Sequence, residues 1–272
     1  MFWSNPRKDA ERSQKLSEMS PVILMGRGKS GTRILSFMSV KLGLQFGTSG
    51  ELATGDADDQ KFTDEIKRIA FRNVGVVKLS EVDDKELVKF QKCVEAYHDR
   101  HAMAAEMWGW KFPETYMLAP FIEQTFPKAR YLHLVRDGRD LAFKNHLSDD
   151  PNRKFGRKIL ERLKVMDQPH HVQAAVSWGY QVDNFDAFRS EIGAAAAGRI
   201  FDTTFEEMCA NPRSVAEALC AFMGIDMTPE CEEYLSQSVK TTNIAAYKQQ
   251  PEALIEEATS RIRPTLKRYG YV

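Results

Sequence analysis

Short apolar runs separated by longer amphipathic stretches set the pattern of this chain. The runs have the length and composition of strands that are buried on both faces of a parallel sheet. Four of them stand out, at residues 22–25, 74–79, 107–110 and 131–135. Helical spacing of apolar positions lies between and after them, at 34–43, 61–72, 83–105, 213–223, 229–238 and 251–268. The alternation predicts an α/β fold with a central parallel sheet.

The length of 272 residues suits one large α/β domain. We expect residues 1–20, polar after Trp3, to form a mobile arm, and residues 21–272 to form a single domain. Within that domain, residues 147–171 interrupt the core between two helices. They hold six basic residues and one acid between Pro151 and Lys164. This segment is either a lid that binds the acceptor substrate or a solvated amphipathic helix.

Charge and cysteine usage exclude several classes of protein. The formal net charge is zero, so no overall field indicates binding to nucleic acid or an anionic membrane. The four cysteines have no metal-ligand spacing, which favours free thiols in a reducing compartment. No apolar run reaches eighteen residues, and the start lacks a signal-peptide core. These features predict a cytoplasmic protein without a transmembrane segment and without a metal site.

A loop of small and basic residues, 26–33, follows the first strand and precedes a helix. Its glycines allow backbone N–H groups to approach an oxyanion, and the helix N-terminus adds partial positive charge. A nucleotide triphosphatase loop has lysine directly after its last glycine. Here Thr32 and Arg33 follow Gly31, and Lys29 comes two residues before it. The loop predicts an anion site that differs from the triphosphatase pattern.

Two further basic positions follow strands and point to the same edge of the sheet. Lys111 ends the run at 107–110, and Pro113 after it suits the first turn of a helix. Arg136 ends the run at 131–135 and begins a second strand, basic turn and helix. We expect Arg136 to bind an anion as a bidentate fork. Lys144 lies farther along the helix that follows.

Together these units resemble the sulfotransferases that use 3′-phosphoadenosine 5′-phosphosulfate (PAPS). Residues 29–33, KSGTR, are similar to the family's loop for the 5′-phosphosulfate. Residues 136–144, RDGRDLAFK, are similar to its motif for the 3′-phosphate. WGWKFPE at 108–114 looks like its K-x-P element, and 201–224 resembles its late strand, turn and helix. The resemblance covers residues 21–225, and the closing LKRYGY also fits it.

The resemblance implies a three-layer αβα fold of the P-loop nucleotide-hydrolase-like type. It implies transfer of a sulfuryl group from PAPS to an acceptor hydroxyl on a carbohydrate, lipid or other small molecule, with no metal required. It also implies a set of donor-binding residues, namely Arg27, Gly28, Lys29, Ser30, Gly31, Thr32, Arg33, Arg136, Lys144, Trp178 and Phe205. Acceptor identity and oligomeric state stay open.

Three of these positions depart from the family pattern or have a second interpretation. Lys144 stands where the family has serine, and would contact the phosphate as a point charge. Phe205 stands where the family has tyrosine, which keeps the ring without the hydroxyl. Trp178 packs either on the adenine or in the core.

The catalytic residues implied by the resemblance are Lys29, Lys111 and Glu51. Lys29 would stabilise the leaving 5′-phosphate, and Lys111 would steady the transferring sulfonate. Several branches of the family take their general base from a glutamate beyond the first loop, and Glu51 is nineteen residues past Thr32. Other branches use a histidine where this chain has Pro113. Glu51 is therefore the expected base, with Glu114 in reserve.

Two other functions compete with this interpretation. A P-loop nucleoside or shikimate-type kinase would need lysine after Gly31 and a serine or threonine after that lysine. A catalytically silent nucleotide-binding protein would keep the fold without turnover, and lysine at position 144 gives that alternative some support.

Overall fold

A sheet of four parallel strands forms the centre of the computed structural model, which describes residues 6–47, 56–101, 107–238 and 244–272. Each strand is short and is bounded by loop residues. The strands are β1 (Val22–Met25), β2 (Gly109–Lys111), β3 (Arg130–Val135) and β4 (Ile200–Thr204). Their spatial order is β2-β1-β3-β4. The predicted strands at 22–25 and 131–135 are confirmed, and that at 107–110 lies slightly later in the chain.

Helices cover both faces of this sheet. In the described ranges they are α1 (Pro6–Ser17), α2 (Thr32–Lys41), α3 (Gln60–Arg72), α4 (Asp84–Arg100), α5 (Ala119–Thr125), α6 (Gly138–Ala142), α7 (Lys154–Leu163), α8 (His170–Ile192), α9 (Phe205–Ala210), α10 (Pro212–Met223), α11 (Pro229–Ser238) and α12 (Glu252–Arg268). No helix in those ranges is both long enough and apolar enough to cross a membrane.

The alternation of side chains along β1 creates two separate apolar layers. Val22 and Leu24 pack on one side with residues of α2, α9 and α10. Ile23 and Met25 pack on the other side with residues of α3, α4, α5, α8 and α12. Because successive strand residues point to opposite faces, one four-residue strand with no exposed side chain serves both cores. The predicted three-layer αβα architecture is confirmed.

The run at 74–79 is not a strand, so this prediction is wrong. Gly75 adopts a left-handed conformation with φ of 103°, and a short 3-10 turn follows at Leu79–Glu81. The backbone N–H groups of Val77 and Lys78 donate to the Glu81 carboxylate, at 2.9 and 3.1 Å. These donors are therefore satisfied locally by a side chain. A short apolar run does not distinguish this arrangement from a strand.

The N-terminal segment is also a correction, because residues 6–17 form a packed helix where we expected a mobile arm. Leu16 on α1 is fully buried in the apolar layer that contains Ile23 and Met25. Arg12 donates to Asp9 on its own helix and to Glu95 on α4, each at 2.6 Å. One buried leucine and this ion-pair group hold a largely polar helix against the domain.

The segment 147–171 contains α7, which packs against α8 through its buried Ile159 and Leu160. On its other side, the Lys158 ammonium donates to the carbonyl oxygen of Phe71 at 2.6 Å and lies 4.7 Å from that residue's ring centroid. The helix is amphipathic and docked between α8 and the end of α3. A role as a lid stays a prediction.

We predict that Leu16→Ala lowers the free energy of unfolding by about 2–5 kcal/mol, because it removes a fully buried side chain. Urea denaturation measures this change. Gln14→Ala on the exposed side of the same helix is the matched control and should change stability by less than about 0.5 kcal/mol. Equal effects of the two substitutions would show that α1 is not docked.

Candidate active site

The carboxyl ends of all four strands meet around one cavity of about 600 Å³. The loop after β1, the residues after β2, the turn after β3 and the first residue of the helix after β4 all contribute to its wall. Parallel α/β sheets bind ligands at this edge. The residues lining the cavity are Gly28, Lys29, Gly31, Thr32, Arg33, Ile34, Asp56, Lys67, Lys111, Phe112, Pro113, Glu114, Arg136, His146, Leu147 and Phe205.

The loop between β1 and α2 depends on one glycine. Gly31 has φ of 91°, and a Cβ atom there would lie 2.2 Å from the ring of Phe205. Helix α2 begins at Thr32, and the backbone N–H of Ile34 donates to the carbonyl oxygen of Gly31 at 2.9 Å, whereas the N–H groups of Thr32 and Arg33 have no partner within the helix. The exposed side chain of Lys29, itself in a left-handed conformation with φ of 71°, lines the same cavity. The geometry is that of an anion cradle.

A second close approach occurs at Gly28, where a Cβ atom would lie 2.0 Å from Nε2 of His146. The backbone N–H of Ser148 donates to Nδ1 of that histidine at 3.3 Å. Burial, followed by the positive charge of Arg27, lowers the pKa of His146 to about 3. The imidazole is therefore neutral, and it carries its proton on the Nε2 that faces the loop.

Arg136 lies beside this loop in the cavity wall, and the structure corrects part of its expected role. Its guanidinium lies 4.0 Å from the centroid of the Phe205 ring. Its Nε and Nη2 both donate to Oδ2 of the buried Asp140, at 3.2 and 2.8 Å. The Nε–Nη2 fork is thus used within the protein. Nη1, which is 3.4 Å from the carbonyl oxygen of Lys29, lies on the side toward the loop.

Lys111 is almost completely buried and is held by an acid from another part of the chain. Its ammonium group donates to the carboxylate of Asp56, which also pairs with Arg33 at 3.2 Å. Burial lowers the pKa of Lys111, while the charge of Asp56 opposes that change. The Asp56 carboxylate therefore forms ion pairs with two cations that line the cavity.

Glu114 is the least satisfied polar group in the cavity wall. It lies in a 3-10 turn at Pro113–Met117, directly after β2, and is 2% exposed. Both carboxylate oxygens are buried without a hydrogen-bond partner among the described residues. Burial raises the pKa of Glu114 to about 7. Such groups are rare in folded proteins and often have a functional explanation.

Arg27 is placed differently from the sequence-based expectation. Its side chain is completely buried and pairs with Asp149, which also accepts the backbone N–H of His146 at 2.9 Å. Arg27 does not line the cavity. It ties the β1–α2 loop to the start of segment 147–171, so it is a positioning residue in this structure and not a donor contact.

Three other expected donor contacts also lie away from the cavity wall, namely Ser30, Lys144 and Trp178. Trp178 on α8 is fully buried in the core, with its indole beneath Gly138 at the start of α6. It supports the turn that carries Arg136 and cannot stack on a base in the cavity. Lys144 is half-buried, and its pKa is lowered by burial and then by the charge of Arg136.

The expected base Glu51 lies outside the described residues. The structure does bring together most of the other sequence-predicted residues, which are Gly28, Lys29, Gly31, Thr32, Arg33, Lys111, Arg136 and Phe205. In the described ranges, no group of three or more histidine, cysteine, aspartate or glutamate side chains is arranged to hold a metal ion.

Sequence reasoning missed Asp56, Lys67 and His146 in the cavity wall. Asp56 lies in an acid-rich loop with no motif, and Lys67 lies on one side of an ordinary amphipathic helix. Only His146 had a usable signal, because it follows the second basic motif by two residues.

Comparison with known proteins shows the family. The model of the sulfotransferase family matches residues 21–229, so this chain belongs to the sulfotransferase family. No curated protein sequence gave a significant match. Membership in this family makes the chain a transferase.

Solved structures agree at the level of the fold. The sulfotransferase domain from the curacin biosynthetic pathway is 14% identical, with a TM-score of 0.52 over 93% of this chain and 98% of that domain. Sulfotransferase STF9 from Mycobacterium avium is also 14% identical, with a TM-score of 0.55 over 96% of this chain and 79% of its own. The sulfotransferase domain of the Synechococcus PCC 7002 olefin synthase is 16% identical, with a TM-score of 0.51 over 90% of this chain and 94% of that domain. The P-loop-like α/β fold is confirmed.

We predict that Gly31→Ala costs more stability than Gly224→Ala. Both glycines have positive φ, 91° and 70°, but only Gly31 has a neighbour within 4 Å of the added Cβ. Gly224→Ala should cost about 1 kcal/mol, the usual penalty for alanine in this conformation. Gly31→Ala should cost about 1–3 kcal/mol more, because the Phe205 ring blocks the added methyl group.

Urea denaturation of the two variants gives the comparison directly. Matching losses would show that the contact between Gly31 and Phe205 does not constrain the loop.

Proposed function

We propose that this protein transfers a sulfuryl group from PAPS to a hydroxyl group of a small-molecule acceptor. The observation that supports the proposal most strongly is the placement of cations around the cavity in a chain of this family. Lys29 and the first turn of α2 line one cavity of about 600 Å³ together with Arg136, whose Nη1 lies 3.4 Å from the carbonyl oxygen of Lys29. That arrangement suits a ligand with two separated anionic groups.

The residues present fit the donor. At Gly28 and Gly31 the absence of a side chain lets His146 and the Phe205 ring, which both line the cavity, pack directly against the loop backbone. The 5′-phosphosulfate would bind there, with the N–H groups of the first turn of α2 and the Lys29 ammonium as donors. The 3′-phosphate would bind near the Nη1 side of Arg136, with Lys144 as a second, more distant charge. No metal ion is needed to supply positive charge in this arrangement.

The far side of the cavity would receive the acceptor. Its wall consists of Lys67, Phe112, Pro113 and Leu147, and so combines apolar surface with one cation. Lys67 lies 5.2 Å from the centroid of the Phe112 ring, which holds its charge beside an apolar surface. A carbohydrate, lipid or other small molecule with a hydroxyl group is the proposed acceptor class.

The charge distribution supports the proposed catalytic roles of two lysines. Sulfuryl transfer, like phosphoryl transfer, proceeds in line, and negative charge builds up on the leaving oxygen. A fixed cation near that oxygen stabilises the transition state more than the ground state. Lys29 is the proposed cation for the leaving 5′-phosphate. Lys111, held in place by Asp56, would interact with the transferring sulfonate.

The test is a transfer assay with two labelled donors, [35S]PAPS without metal and [γ-32P]ATP with Mg²⁺, against a panel of alkyl glycosides, long-chain alcohols and phenols. We expect label transfer from PAPS alone. Lys29→Ala should lower kcat by about 10²- to 10³-fold, the range for loss of one transition-state donor. Lys41→Ala, at the exposed far end of the same helix, is the matched control and should keep wild-type turnover.

Transfer of 32P from ATP with none from PAPS would contradict the proposal and would favour the kinase. Tight nucleotide binding with no transfer to any acceptor would favour a catalytically silent protein.

A further inference from the structure

We propose that Glu114 is the general base that takes the proton from the acceptor hydroxyl. This inference rests on the sulfuryl transfer proposed above and replaces the expectation that Glu51 performs this step. It starts from the two buried carboxylate oxygens of Glu114, which have no hydrogen-bond partner among the described residues.

The position of Glu114 in the cavity wall gives those oxygens a use. A buried carboxylate normally accepts several hydrogen bonds, and leaving it without them costs free energy. Glu114 lines the same cavity as Lys29 and Lys111. Phe112 and Pro113 line the same cavity and directly precede Glu114 in the chain, so an acceptor hydroxyl bound beside them would lie near the buried carboxylate and supply the hydrogen-bond donor that it lacks. The Glu114 carboxylate, which lacks hydrogen-bond donors, is thus placed where the proton of the substrate hydroxyl must be removed.

The surrounding charges explain why Glu114 has no ion-pair partner in the described part of the chain. Lys111, three residues earlier, is held by Asp56, and so is Arg33. Lys67 on α3 lies over the Phe112 ring. The charged and titratable groups that face Glu114 across the cavity or act on its carboxyl are Lys29, Arg33, Asp56, Lys67, Lys111, Arg136 and His146.

Burial outweighs these charges. Loss of hydration raises the pKa of Glu114 to about 7. The residue's own backbone N–H and then the positive charges of Lys67 and Lys111 act in the opposite direction, and the negative charge of Asp56 adds to the rise. A general base whose pKa lies near the working pH is deprotonated in a large share of the molecules and is still basic enough to take the proton. A solvated glutamate with its ordinary pKa would be a weaker base for an alcohol.

The step balances as an in-line displacement. The acceptor oxygen forms a bond to sulfur while the bond between sulfur and the 5′-phosphate oxygen breaks. The electron pair of the breaking bond goes to the phosphate oxygen, which Lys29 stabilises. The hydroxyl proton goes to the Glu114 carboxylate, which then releases it to solvent. No oxidant, reductant or further reactant is required.

The first test compares wild type, Glu114→Gln, Glu51→Gln and Glu230→Gln with [35S]PAPS, measuring release to water and transfer to the alcohol panel from pH 5 to 9. In wild type, kcat/KM should fall about tenfold per pH unit below a midpoint near 7. Glu114→Gln should lose about 10²-fold or more in kcat and also lose that acid limb. Glu230→Gln, at an exposed site on α11, should match wild type.

The second test measures unfolding of wild type and Glu114→Gln by urea over the same pH range. The pKa of Glu114 is about 7 in the folded state and 4.5 in the unfolded state. The free energy of unfolding therefore falls as pH increases from 4.5 to about 7. From pH 5 to about 7 wild type should lose stability relative to the Gln variant, by up to about tenfold in the folding constant per pH unit. Above about pH 8 the two proteins should respond alike.

The outcomes separate the two proposals. Wild-type turnover in Glu114→Gln, or an acid limb that persists in it and vanishes in Glu51→Gln, would overturn the role of Glu114 while leaving sulfuryl transfer intact. Failure of wild type to use PAPS at all would overturn the proposed function. In that case a pH-independent difference in unfolding would also overturn the buried, unpartnered state on which the role of Glu114 depends.

Discussion

Contact between Gly31, the Phe205 ring and Arg136 is the constraint on which the rest of the site depends. The ring leaves no room for a Cβ atom at Gly31 on one side, and it carries the Arg136 guanidinium at 4.0 Å. Three strands deliver these residues, since Gly31 follows β1, Arg136 follows β3 and Phe205 follows β4. A single aromatic side chain therefore contacts both the loop at Gly31 and the guanidinium of Arg136. We expect this geometry to make the edge of the sheet an anion site.

Ion pairs with at least one buried partner hold the surrounding loops, and two of the three use an acid from outside the basic motifs. Asp149 pairs with Arg27, Asp140 pairs with Arg136, and Asp56 pairs with Lys111. Such pairs cost about as much in desolvation as they return in attraction, so they contribute orientation more than stability. Their effect on Glu114 is indirect but decisive. Because Asp56 already pairs with Lys111, the Glu114 carboxylate has no ionic partner among the residues that the structure describes.

The sequence predicted well whatever was encoded locally. The strand at 22–25 is bounded by Pro21 and Gly26, and the loop after it has the glycines that its backbone requires. The sequence predicted poorly the segments whose conformation depends on contacts with distant parts of the chain or with side chains outside the apolar run. The run at 74–79 has strand-like composition, but its N–H groups are satisfied by the Glu81 side chain. A polar N-terminal segment is docked by the single buried side chain of Leu16.

The candidate site shows the same division. Spacing identified Lys29, Lys111 and Arg136, since each follows a strand at the same edge. Spacing could not show on which side of a loop a long side chain lies, and Arg27 turns away toward Asp149. Trp178 lies in a long helix with apolar residues on most sides, so its direction was not encoded locally. The importance of Glu114 arises from burial and from missing partners, which only the assembled structure shows.

The central claim is that two separated anionic groups of one nucleotide bind across the Phe205 ring. Calorimetric titration of the wild-type protein, without added metal, with adenosine 3′,5′-bisphosphate and with adenosine 5′-monophosphate tests it most directly. The account predicts that the bisphosphate binds at least about tenfold more tightly, since each charge-assisted contact to phosphate contributes about 1.5–3 kcal/mol. Equal affinity for the two nucleotides, or binding only of ATP with Mg²⁺, would contradict it.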